Sequence, residues 1–150
     1  MSKSIKHQYF FPHPPETVWE YLTRPELMEL WLMKNTFQPI VGADFQFRTS
    51  PVPNLNFDGI FYCKVLEIVP FKKLSYSWNS GPGNGEITLE SIVVWRLEKT
   101  DKGTDVFLDH SGFDREENTG LYNGLNHGWL EKFKKIDDLL KAAPHDTTTA

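Results

Sequence analysis

The chain has 150 residues, with 16 Lys and Arg against 20 Asp and Glu, for a formal net charge of −4. Acids and bases are interspersed, so no basic stripe invites nucleic acid, and no apolar run approaches the roughly eighteen residues of a membrane span. A lone cysteine, Cys63, excludes an internal disulfide and a cysteine-rich zinc site.

This length predicts one domain over residues 1–143 that buries about two-thirds of its unfolded surface, followed by a disordered tail at 144–150. The first residues, MSKSIKHQ, lack the apolar core of a signal peptide, and a cytoplasmic location is the expectation. Aromatics are plentiful: eleven Phe, five Trp and five Tyr. They build either a large core or a ring-lined binding cavity.

In chain order, Ile5–Phe11 alternates with Ile5, Tyr9 and Phe11 on one parity, which predicts a strand. The prolines at 12, 14 and 15 stop it and open a short helix with Val18, Trp19 and Leu22 inward. Thr23 and Glu26 match a capping box for a second short helix, with Leu27, Leu30 and Trp31 at helical spacing. Helices this short need a larger partner to pack on.

From Asn35 onward the pattern is strand-like. Phe37–Ile40 and Asp44–Thr49 flank a turn at Val41, Gly42 and Ala43. Phe57–Val69 reads as a long strand with a bulge near Val65 and Leu66. Leu74, Tyr76 and Trp78 alternate with Lys73, Ser75 and Ser77. Asn79–Glu86 is glycine-rich but lacks the Lys-Ser/Thr of a phosphate loop, so a hairpin connection is expected. Leu89–Lys99 places Val93, Trp95 and Leu97 inward, and a last strand does the same with Val106, Leu108 and His110. The acids of Asp114–Glu117 suit a helix N-terminus.

Leu121–Leu140 is that helix, with Leu121, Leu125, Trp129, Phe133, Ile136 and Leu140 on one stripe. Each such side chain contributes roughly 1.5–3 kcal/mol when buried. Gly124 and Gly128 interrupt it, each costing about 1 kcal/mol relative to Ala. They either admit a close backbone or ring, or leave room for a ligand. Turn-linked strands must pair antiparallel, and only this helix is long enough to cover their dry face. The fold class is therefore α+β: about six or seven curved antiparallel strands around a long C-terminal helix, with two short helices after the first strand.

No motif declares chemistry. The five histidines, at 7, 13, 110, 127 and 145, show no metal-ligand spacing, and neither a metal nor a cofactor is expected. Gly-x-Ser-x-Gly is absent, Cys63 reads as packing, and Glu67 and Glu90 as solvent-facing. His110 lies on the dry parity. It is either a buried, hydrogen-bonded histidine or a polar group that orients a ligand or moves a proton. His127 is expected to be exposed.

Pro15–Glu26 (PETVWEYLTRPE) resembles the opening of the family named for the activator of the heat-shock chaperone ATPase, and Trp31 stands near that family's following Trp. Val41–Phe45 is similar to its Val-Gly-Gly-x-Phe, with Ala43 in place of a glycine. Val65–Pro70, Leu74–Trp78, His110–Phe113 and Gly128-Trp129 resemble later signatures in the right order.

The resemblance implies the helix-grip (SRPBCC) superfamily of START lipid-transfer domains, the birch pollen allergen and polyketide cyclases, with an apolar cavity between sheet and helix. The inward residues are then its lining: Phe45, Phe47, Phe61, Tyr76, Trp78, Trp95, Leu108, His110, Leu125, Trp129 and Phe133. A small apolar, aromatic or lipid-like ligand is the expected partner. A heat-shock chaperone is the alternative partner implied by the family's name. A cyclase- or dehydratase-like enzyme using His110, with Tyr76 as a donor, is the catalytic alternative; the balance favours binding over catalysis.

Overall fold

Short turns between half-buried strands leave antiparallel pairing as the only way to satisfy the backbone. In the computed structural model, which describes residues 3–143, this yields β1 (Lys3–Phe11), β2 (Lys34–Asn35), β3 (Asp44–Arg48), β4 (Ile60–Val69), β5 (Lys73–Ser80), β6 (Leu89–Lys99) and β7 (Thr104–Phe113). They form one sheet in the order β1-β7-β6-β5-β4-β3-β2. Two short helices, α1 (Pro15–Thr23) and α2 (Pro25–Trp31), follow β1, and the 24-residue α3 (Thr119–Ala142) comes last. This is the helix-grip α+β architecture. The tail at 144–150 lies outside the described residues.

Strand parity holds well. β6 buries Leu89, Ser91, Val93, Trp95 and Leu97 on one face, and β7 buries Val106, Leu108 and His110. The bulge expected near Val65 and Leu66 is present as a register shift between Val65 and Glu67. On α3 the residues Leu121, Trp129, Phe133, Ile136 and Leu140 are buried. The helix is tied to the β1 edge of the sheet: His7 Nε2–H donates to the carbonyl of Asn126 (3.0 Å) and the Tyr9 hydroxyl donates to Asp137 (3.3 Å). Tyr9 also stacks on Phe133, with ring centroids 5.4 Å apart.

Several local expectations are corrected. Thr23 does not cap α2; it is the last residue of α1, and its hydroxyl donates to the carbonyl of Trp19 (2.8 Å). Arg24 is the cap residue, Pro25 occupies the first helical position, and Glu26 pairs with Arg24. Extended geometry before a proline is what the ring demands, so Pro25 decides this boundary.

Leu30 is exposed, and Met28 takes its place in the core beside Trp31. Phe37–Ile40 is not a strand. On the side away from β4, β3 pairs with the two-residue β2, although Phe37 is buried edge-on against Phe45 at 5.0 Å. Phe57 precedes β4 and forms an isolated bridge with Val52. The acids Glu116 and Glu117 lie in a 3-10 turn, leaving the first turn of α3 itself without one.

A Cβ built on Gly124 or Gly128 meets nothing within 4 Å. Among the described residues no ring and no backbone of another element approaches either glycine, so the close-approach reading of the pair is overturned.

Candidate functional site

The inward faces of β3 to β7 meet α3 in a continuous belt of rings. Phe57 stacks on Phe61 (4.6 Å), Phe61 meets Trp78 (4.4 Å), and Trp78 meets Trp129 (5.4 Å). Trp95 lies edge-on to both Trp129 (5.5 Å) and Phe133 (5.7 Å). Phe45 and Phe47 flank Tyr76 at 5.3 and 6.0 Å, and Phe47 also meets Trp78 at 5.1 Å. These are contact distances for aromatic rings.

The structure thus brings together Phe45, Phe47, Phe61, Tyr76, Trp78, Trp95, Leu108, His110, Trp129 and Phe133, all buried. Leu125 is only half-buried, on the flank of α3 that also carries Gly128 and Lys132. Partial burial, and then the charge of Lys135, lowers the Lys132 pKa from its ordinary value. The open chamber implied by the family resemblance is not seen among the described residues: the protein's own rings occupy the space between sheet and helix.

Within this apolar belt lies a short polar relay. An indole nitrogen can only donate, so the bond from Trp129 Nε1 to His110 Nδ1 (3.1 Å) makes Nδ1 the acceptor. The neutral imidazole therefore carries its proton on Nε2, which donates to Ser91 Oγ (2.9 Å). The Ser91 hydroxyl in turn donates to the carbonyl of Trp78. Burial pushes the His110 pKa down to about 3, so the ring stays neutral throughout the ordinary pH range. Beside it, Trp95 Nε1 donates to the Tyr76 hydroxyl (3.0 Å), whose pKa burial raises.

The far end of β5 is different. Trp78 Nε1, Ser80 Oγ, Thr88 Oγ1 and Asn118 Oδ1 are buried without a hydrogen-bond partner among the described residues. Of the four tryptophans that are fully buried, Trp31, Trp95 and Trp129 donate their indole N–H, and Trp78 does not. These groups share one neighbourhood. Trp78 and Ser80 point the same way from β5, the Thr88 amide donates to the Ser80 carbonyl (2.9 Å), and Asn118 Nδ2 donates to the Thr88 carbonyl (2.9 Å).

Asn118, the residue before α3, also lines a surface cleft of about 340 Å³ with Lys3, Arg115 and Tyr122. Ser80, Ser91, Thr88 and Asn118 were not among the sequence-derived site residues. Ser80 and Ser91 share the inward parity of Trp78 and Val93, a signal that a serine amid rings makes readable. Thr88 and Asn118 lie in connecting segments where no periodicity applies.

The model of the family described as "Activator of Hsp90 ATPase homolog 1-like protein" matches residues 12–141. The chain is similar to the solved structure of protein MLL2253 from Mesorhizobium loti, at 36% identity and a TM-score of 0.82, covering 93% of this chain and 97% of that one. It shares its fold with the Aha1 dimer from Colwellia psychrerythraea (22% identity, TM-score 0.73, covering 93% and 97%). It also shares the fold of Bacillus halodurans protein BH1534 (23% identity, TM-score 0.70, covering 91% and 95%). No curated protein matches the chain.

Proposed function

Because the chain belongs to the family of activator of Hsp90 ATPase homolog 1-like proteins, we propose that it is a binding domain that takes a small apolar or aromatic molecule between its sheet and α3. The observation that carries this reading is the set of buried, unpartnered polar atoms at one end of a ring-lined interior. Each such atom costs about 1–3 kcal/mol while it stays unmet, and a guest that bonds to it offsets that cost. A guest with a polar end and an apolar body answers both features at once. The rings fill the space between sheet and α3, so uptake requires them and the flank of α3 at Leu125 and Gly128 to shift.

The closed hydrogen bonding of His110 favours binding over catalysis. Both nitrogens of His110 are engaged, and the Tyr76 hydroxyl accepts from Trp95. His110 therefore has no free proton or lone pair to offer a reacting atom in this arrangement. The chaperone alternative is supported by the family description and would use the outer surface rather than the interior.

Titration with naphthalene-type and lipid-like compounds, followed by NMR, tests the reading. The expected result is a set of shifts centred on the indole N–H signals of Trp78 and Trp129. Shifts confined to the outer face of the sheet, together with stimulation of a heat-shock chaperone ATPase, would replace it with the chaperone reading.

A further inference from the structure

The chemistry of the unpartnered atoms narrows the guest. Asn118 Nδ2 is committed to the Thr88 carbonyl, which fixes the amide orientation and leaves Oδ1 as an acceptor in need of a donor. Trp78 Nε1–H can only donate, and the hydroxyls of Ser80 and Thr88 can do either. A carboxylate would face Asn118 Oδ1, with no cation among the described residues aimed at it from inside. His110 is neutral, and in the adjoining cleft Arg115 pairs with Glu117 while Lys3 lies over the Tyr122 ring. An ammonium would meet the obligate donor of Trp78. A bare ketone would answer the donors and leave Asn118 Oδ1 unmet.

A hydroxyl both gives and accepts, and the rings around it suit an aromatic body. We propose that Trp78 Nε1, Ser80, Thr88 and Asn118 form a polar subsite that holds the neutral hydroxyl group of an aromatic ligand, reached from the cleft that Asn118 walls off. This rests on the binding reading above and specifies its ligand class. All four side chains are more than nine-tenths buried, and Asn118 both lines the cleft and donates to the Thr88 carbonyl.

The test compares 2-naphthol, naphthalene and 2-naphthoate on the wild-type chain and on Ser80→Ala and Thr88→Val, by calorimetric titration and by the Trp78 indole N–H signal. Folding of each variant is checked by its NMR spectrum. The expected result is a preference of about fivefold to tenfold for naphthol over naphthalene, the worth of one or two net hydrogen bonds. That preference should shrink in both variants while naphthalene affinity stays the same.

Equal affinity for naphthol and naphthalene, or a preference that survives both substitutions, overturns the subsite and leaves the binding reading standing. So does tighter binding of naphthoate. A crystal structure of the naphthol complex with an ordered water alone among these four side chains also overturns it. Binding of none of the three overturns the binding reading, and the subsite with it.

Discussion

Two polar groups sit in the same ring-lined interior, and they are built to opposite rules. Around His110, every donor and acceptor in the chain from Trp129 to the Trp78 carbonyl is used. On the Trp78 side chain itself and two residues further along β5, Trp78 Nε1 and Ser80 Oγ have nothing to bond among the described residues, nor do Thr88 Oγ1 and Asn118 Oδ1. The first arrangement fastens α3 to the sheet. The second stores unmet hydrogen-bonding capacity that a guest can use. Burial alone therefore does not separate scaffold from site here; satisfaction of the buried polar atoms does.

The largest expected effect comes from breaking the fastened end. Trp129→Ala removes a fully buried ring that touches Trp78 and Trp95 and deprives His110 Nδ1 of its donor. It should cost about 3–5 kcal/mol in denaturant unfolding. A loss under about 1 kcal/mol would mean that α3 is held elsewhere.

Acid should loosen the same end. The His110 pKa is depressed to about 3 in the folded chain by burial, against about 6.5 when unfolded. The unfolded chain therefore takes up the proton first. His110's contribution is complete above pH 6.5 and is lost as pH falls towards 3, at about 1.4 kcal/mol per pH unit. Between pH 6.5 and 4.5 that amounts to roughly 2–3 kcal/mol. Thermal unfolding across this window should show the slope in the wild type and lose it in His110→Gln.

Serine to alanine sharpens the contrast, because the same change should have opposite signs at the two ends. Ser91→Ala strands the His110 Nε2–H and should destabilise by about 1–3 kcal/mol. Ser80→Ala deletes a group that already lacks a partner and should stabilise the unliganded protein by about 1 kcal/mol. Two losses of equal size would erase the distinction between the ends.

The smallest effects belong to α3's open flank. Gly124→Ala and Gly128→Ala place a methyl group where nothing lies within 4 Å, so each should raise stability by about 0.5–1 kcal/mol. If Gly128 leaves room for the guest, naphthalene affinity should fall in Gly128→Ala and hold in Gly124→Ala.

Much of the architecture was legible in the sequence. Period-two alternation marked β1 and β3 to β7, and the stripe from Leu121 to Leu140 marked α3. The bulge at Val65 was visible as broken alternation. The errors lie where local signals compete. Thr23 and Glu26 have capping-box spacing, yet Pro25 places the boundary at Arg24. Phe37 has strand character, yet its ring is buried by packing on Phe45 rather than by pairing. The ring residues of the candidate site were identifiable by parity, and His110 with them.

What the residues determined alone is whatever depends on period and composition: which faces are dry, how the strands must run, and that rings line the interior. Only the tertiary structure decided which polar atoms find partners. Ser91 reaches His110 because β6 and β7 pair Ile92 with Ser111 and Val93 with His110. Asn118 reaches Thr88 across thirty residues of chain. Hydrogen bonding depends on ångström-scale distance and direction between segments far apart in sequence, and no local pattern encodes that.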